Sequence, residues 1–318
     1  SGLLSYPLGR LSDRIGRKPV VLWGLSLFIA GALISAAKDD LLWIAIGRGV
    51  MGAGAISAAV SAWVADLTRE QVRTRAMALV GGSIAMSFAL SLVIAAPIYR
   101  VIGLSGIFVV LAIFGVIAML VTYYVLPSTH PEVQVQQASL KEVFFRPELM
   151  RLNVGVFVLN ATQVAMFLVV PRLLVAAGLP LSSHWEIYLP IVLLSFVLMA
   201  PAIIYGEKKQ KLRTVLLVAI VLLLIAEWIF TQANSVMTIA TALLVYFVGF
   251  NLLEALQPSL VSRFAKESKG TALGVYNTTQ SIGLFAGAAV GGYLMDSHGD
   301  LSVFVTGAVL LAVSYTHL

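Results

Sequence analysis

Residues 214–231 read TVLLVAIVLLLIAEWIFT, and Glu227 is their only charge. Runs of this kind, about 17–25 residues each, recur along the whole chain. A helix rising 1.5 Å per residue crosses a hydrocarbon core of roughly 30 Å in about 20 residues. The runs lack the strict alternation of barrel strands, so helices are the reading. Only 11% of the residues are charged, against about 25% in a soluble domain, and the mean hydropathy is +0.95. Such a chain cannot cover a water-facing surface with polar groups. The fold class is all-α integral membrane.

The pattern predicts helices over 19–37, 41–66, 76–98, 106–126, 152–176, 185–205, 213–232, 236–262, 271–294 and 302–318. Residues 1–9 read as the tail of a further helix. Basic residues fall on alternate connections: 10–18, 67–75, 127–151, 206–213 and 263–270. The other connections hold Lys38, Arg100 and Arg172, and Arg48 lies within a span. By the positive-inside rule the basic set faces the cytoplasm. This accounts for the net charge of +6 without a nucleic-acid partner. The chain has no cysteine, so disulfides and cysteine metal sites are excluded. The four histidines are scattered without metal-ligand spacing, and no phosphate loop is present.

An offset of 195 brings two halves into register. Asp13 falls on Lys208, Asp39 on Asn234, and Arg75–Ala76 on Gly270–Thr271. An even offset in helix number means parallel halves related by an axis along the membrane normal. The expected organisation is an N-terminal helical half over 1–126, a cytoplasmic linker over 127–151 with a short surface helix at 139–146, and a C-terminal half over 152–318. The register also calls for one helix and most of a second before Ser1. That would make twelve spans in two groups of six, about ten and a half of them present. The polar end Ser314–Leu318 reads as either a junction or an ordinary helix end.

Several polar residues sit where apolar ones are expected. Gly9 to Lys18, GRLSDRIGRK, concentrates charge in a short loop. Gly9 and Gly16 suit close helix approach and a tight turn. Asp13 can meet a helix N-terminus or an arginine. Topology determination alone would also explain the cations. Arg48 is a guanidinium within a span, where it either acts or snorkels to the outer surface. Glu254 lies in Phe250-Asn-Leu-Leu-Glu-Ala-Leu-Gln-Pro258, on one helix face with Phe250 and Asn251. A carboxyl at that depth faces a cavity and suits reversible protonation, or holds two helices together. Asn160 and Gln163 form an i, i+3 pair that suits either substrate contact or interhelical bonding. Glu227 reads as structural or interfacial.

Gly-x-Leu-Ser-Asp-Arg-x-Gly-Arg-Lys, at Gly9 to Lys18, closely resembles the loop 2–3 signature of the major facilitator superfamily. The likeness extends over the chain through loop order and the repeat. It implies a conformational latch of Gly9, Asp13, Arg14, Gly16, Arg17 and Asp66. In that latch the aspartate Asp13 faces a helix starting near Gly270, and Arg14 pairs with Asp66. Arg48 and Gly52 resemble the fourth-helix motif linked to proton coupling. Pro97 resembles a helix-end motif, although Ala96 stands where that motif has glycine. Within the superfamily, Phe250–Ser259 and Lys269–Tyr276 resemble the YajR-like group of drug efflux proteins. The resemblance implies a secondary active transporter, not an enzyme, working by alternating access. Proton-coupled drug efflux leads, with the cavity formed by Arg48, Glu254, Asn251, Asn160, Gln163 and Phe250. A nutrient or organic acid symporter is the alternative, and a non-transporting sensor or scaffold the reading from another class. No cofactor or metal is expected, the proton gradient being the energy source. The expected partners are a small-molecule substrate, protons and the lipid bilayer, with no nucleic acid, around a monomer in a bacterial inner membrane.

Overall fold

The computed structural model describes residues 2–38, 40–54, 56–127, 146–265 and 268–315, which hold eleven α-helices and no strand. They are α1 (Gly2–Ile15), α2 (Arg17–Ala36), α3 (Leu41–Ala53), α4 (Ser57–Leu67), α5 (Arg73–Tyr124), α6 (Pro147–Ala176), α7 (Trp185–Lys208), α8 (Leu212–Thr231), α9 (Val236–Phe264), α10 (Lys269–His298) and α11 (Asp300–Tyr315). Seven stretches are long and apolar enough to cross a membrane: Arg17–Ala36, Leu41–Leu67, Pro97–Tyr124, Pro147–Ala176, Leu181–Lys208, Leu212–Thr231 and Val236–Phe264. Asp300–Ser314 is a shorter apolar helix. α10 is not among the seven, because Asn277-Thr-Thr-Gln-Ser281 puts five polar residues in a row near its middle.

Three expected boundaries move. The helix expected to stop at residue 9 continues to Ile15, and the loop of 10–18 contracts to a turn at Gly16. Gly16 has φ 96 and ψ 161, a backbone state that side chains disfavour, and it is the residue that ends one helix and starts the next. The span over 41–66 is two helices, α3 and α4, with Gly54 at the end of the first. The helix expected to close at Pro97 runs on, and the break falls instead at Gly103, φ 66 and ψ −174. Pro97 lies within α5, where the helix accommodates its missing N–H. The other expected spans form within a few residues of their expected ends. Most of the linker, 128–145, and the tail 316–318 lie outside the described residues.

The chain forms two compact units. The first comprises Ser1–Leu67, Val93–Leu149 and Val261–Thr278. Its core holds Val20, Val21, Ala59 and Trp63. α2 and α3 approach through glycine: a Cβ on Gly31 would lie 2.5 Å from the Gly47 carbonyl oxygen and from Met51 N. Small residues are what let helix backbones come this close.

The second unit comprises Thr68–Leu92, Met150–Leu260 and Thr279–Leu318. Leu159, Val169, Leu174, Leu223, Tyr246 and Leu253 are fully buried in its core. Phe230 stacks on Phe304, with centroids 4.8 Å apart. Gly283, Gly287 and Gly291 recur every four residues along α10 and lie against Phe157, Ala161 and Ala165 of α6. At i, i+4 and i+8 they share one face, so α10 rides on the backbone of α6. Outward surfaces are apolar: Leu79, Trp228 and Phe285 are exposed, as a lipid-facing wall requires.

The glycine stripe gives a direct test. Gly287→Val drives a side chain into the Ala161 backbone and is expected to cost at least about 1–3 kcal/mol. Gly292→Val meets nothing within 4 Å and should cost little. Thermal unfolding in detergent should separate the two by several degrees, and equal midpoints would contradict this packing.

Candidate functional site

In the first unit the GRLSDRIGRK segment forms a network centred on Asp13. Its Oδ1 accepts the Gly270 N–H at 2.9 Å; its Oδ2 accepts the Thr271 N–H at 2.7 Å and the Thr271 hydroxyl at 2.9 Å. These are donors that the first turn of α10 leaves without intrahelical partners, at the positive end of a 30-residue helix. Arg17 donates to Asp13 at 2.6 Å through Nη1 and to Asp66 at 2.9 Å through Nε. Lys269 reaches the other Asp66 oxygen at 2.7 Å. Ser12 accepts from Arg17 at 2.7 Å and donates to the Gly9 carbonyl at 2.7 Å.

The glycines make this approach possible. A Cβ on Gly9 would lie 3.0 Å from the Gly270 carbonyl carbon and 3.3 Å from Gly274 Cα. Gly16 is buried at the turn that sets Arg17 at the head of α2. The resemblance assigns the arginine opposite Asp66 to Arg14. The structure instead places Arg17 there, buried at 7% exposure, while Arg14 is exposed. Extension of α1 to Ile15 explains the change: Arg17 stands four residues from Asp13, just past the Gly16 turn.

In the second unit three helices bring polar groups together around Glu254. Asn160 of α6 donates through Nδ2 to Glu254 Oε1 at 3.3 Å and to the Val156 carbonyl at 3.1 Å. Gln280 of α10 donates through Nε2 to Glu254 Oε1 at 3.2 Å and to Asn160 Oδ1 at 3.3 Å. Glu254, on α9, is half-buried, whereas Asn160 is buried. Gln280 is absent from the residues expected on sequence grounds. The uninterrupted polar run at 277–281 within a long helix is the signal that could have found it.

The other expected cavity residues separate. Asn251 is buried and donates to Ser195 at 2.9 Å, joining α9 to α7. Phe250 is buried and stacks on Tyr246. Gln163 is half-buried and makes no hydrogen bond among the described residues. Glu227 is buried on α8 against Gly307 of α11. Arg48, in the first unit, is exposed and makes no ion pair among the described residues.

A second contact at a helix start is likewise unexpected from the sequence. Glu207, at the end of α7, accepts the Arg75 N–H at 3.2 Å and pairs with its guanidinium, and Thr74 and Ser259 share a buried hydrogen bond at 2.9 Å. Thr74 and Lys269 are 195 positions apart, as are Arg75 and Gly270. An acidic side chain therefore meets the backbone at the start of both α5 and α10.

Over residues 1–288 the chain matches the Major Facilitator Superfamily. Inner membrane transport protein YajR of Escherichia coli (strain K12) is 39% identical over 321 residues, covering 99% of this chain and 71% of that protein. Multidrug resistance protein MdtH of Proteus mirabilis (strain HI4320) is 26% identical over 294 residues, covering 89% and 71%. Among solved structures, the human organic anion transporter MFSD10 (TETRAN) matches with a TM-score of 0.83 at 18% identity, over 98% of this chain and 80% of that one. The Escherichia coli fucose:proton symporter FucP matches with a TM-score of 0.74 at 17% identity, over 98% and 85%. At these identities the two structures speak for the fold alone. By its sequence match and its relatives, this chain belongs to the Major Facilitator Superfamily, whose members are membrane transporters and not enzymes.

Proposed function

We propose that this transporter exports a small amphipathic compound across a bacterial inner membrane in exchange for protons. The observation that carries the reading is Glu254, a carboxyl on a membrane-spanning helix held by two amides from two other helices. An ionisable side chain at such depth marks an ion or substrate pathway by default. Proton uptake and release at Glu254 supply the coupling, and Arg48 serves it through the proton-coupling motif that it resembles. Substrate meets the half-buried Gln163 and the surface beside Glu254, with Asn160, Phe250 and Asn251 packed behind as support. The proton gradient is the energy source, with no bound cofactor. The partners are substrate, protons and lipid, and the protein acts as a monomer. The names of relatives such as MdtH and YajR support efflux and an inner-membrane location.

In this reading the halves over 1–126 and 152–318, joined through 127–151, rock about a central cavity, with basic loops on the cytoplasmic side. The Asp13–Arg17–Asp66 network is the latch that holds one arrangement. The amides around Glu254 also suit a hydroxylated substrate carried by symport, and FucP is itself a fucose:proton symporter. A sensor or scaffold built on the fold would need neither the latch nor Glu254.

Two experiments separate these readings. In proteoliposomes with an imposed proton gradient, lipophilic cations, sugars and organic acids are added in turn. Export by antiport predicts that a cation drives protons the opposite way, and that Glu254→Gln lowers this flux at least about tenfold. Protons moving along with a sugar or acid would establish symport instead. For the latch, the absence of native cysteine allows one thiol, at buried Ser262→Cys, to report opening. Asp13→Asn removes charge from a helix N-terminus worth about 1–2 kcal/mol, and should speed labelling roughly five- to thirtyfold. Unchanged labelling would remove Asp13 from the latch.

A further inference from the structure

Gln280 sits where no sequence motif pointed. Its side chain is half-buried on α10, the helix that the glycine stripe fixes against α6. Gln280 lies about one turn before Gly283, which rests on Phe157, and its long side chain reaches Asn160. One nitrogen, Nε2, then serves two acceptors: Asn160 Oδ1 at 3.3 Å and Glu254 Oε1 at 3.2 Å. Asn160 closes the ring by donating to the same Glu254 oxygen at 3.3 Å. Both amide donors converge on Oε1, and Oε2 takes no hydrogen bond among the described residues.

We propose that Gln280 is the positioning residue that fixes Glu254 so that Oε1 is held by amides and Oε2 is the atom that gains and loses the proton. The proposal rests on the reading of Glu254 as the coupling carboxyl. Its chemistry is a single proton transfer. An O–H bond forms at Oε2 on loading and breaks on release, while Oε1 remains an acceptor in both states. Neither amide has to turn over between them, so the site needs no reorganisation when the proton arrives. Gln280 also sets the orientation of Asn160: its N–H occupies Oδ1, which leaves Nδ2 as the group that faces Glu254.

The test is a mutant cycle read by two assays in proteoliposomes, proton-gradient-driven flux and substrate exchange without a gradient. Gln280→Met keeps the length and removes the donor; Gln280→Leu removes the polarity and shortens the side chain. Each should lower gradient-driven flux about tenfold, the effect of losing one hydrogen bond to a half-buried acidic group. In a Glu254→Gln background, where only exchange remains, neither change should lower exchange further, because there is no proton left to position. A merely structural role would depress exchange equally in both backgrounds, and that result would overturn the proposal. So would native gradient-driven flux in Gln280→Met, and in that case the reading of Glu254 would stand if Glu254→Gln still lost coupling. Full gradient-driven flux in Glu254→Gln itself would sink both. Gln280→Met carries the test alone should Gln280→Leu fail to fold.

Discussion

Asp13 meets the first turn of α10 with both carboxylate oxygens. The free N–H groups at the head of a helix are a cost wherever water is excluded, and a carboxylate answers that cost with charge as well as hydrogen bonds. Thr271 adds its hydroxyl, and Arg17 neutralises the acid from the other side. Arg17 in turn needs Asp66, and Asp66 takes Lys269 from the start of the same α10. Each ion is thus held by at least one counter-ion, the condition under which buried charge is tolerated. Losing Arg17 leaves Asp13 without a counter-ion, and losing Asp66 leaves Lys269 without one, so these two central members couple the network.

The bilayer imposes the second constraint. Helices in lipid gain nothing from hiding apolar surface, so they associate by close packing and by polar contacts. Both devices are present. Gly31 with Gly47, and the stripe of Gly283, Gly287 and Gly291, let backbones touch. Asn251 to Ser195, and Thr74 to Ser259, join helices through buried hydrogen bonds. The glycine stripe also serves the site. With a larger residue at Gly283, Gln280 would stand off from Asn160, and the ring around Glu254 would open.

The helical class and most spans were legible because hydropathy and length report directly on lipid exposure. Asp13 was legible for another reason: the short charged loop around it offers few roles to a carboxylate, and a helix start or an arginine are the natural ones. Which arginine was not legible, because that depended on α1 continuing to Ile15 and on a single-residue turn at Gly16. The break at Gly103 was hidden behind Pro97, the stronger breaker by composition, yet the helix absorbs the proline and yields at the glycine. Glu254 and Asn160 stood out as isolated polar residues in apolar runs. Gln280 did not, because it belongs to a polar run and only the register of α10 on α6 selects it. Glu207 was masked by its loop of lysines.

The starts of α5 and α10 are each fastened by an acidic side chain on the backbone and by an ion pair, and they differ in one position. At α10 the position of Lys269 carries a charge opposite Asp66, and both side chains keep some contact with solvent, at 17% and 22%. At α5 the corresponding Thr74 shares a neutral, buried hydrogen bond with Ser259. Ions in solution screen exposed charges over about 8–10 Å and leave buried neutral bonds alone. Salt therefore screens the Lys269–Asp66 pair at one start and the Arg75–Glu207 pair at the other, and leaves the Thr74–Ser259 bond alone. The neutral bond is thus the part of the α5 fastening that the surrounding medium leaves untouched, and α10 keeps the backbone hydrogen bonds to Asp13.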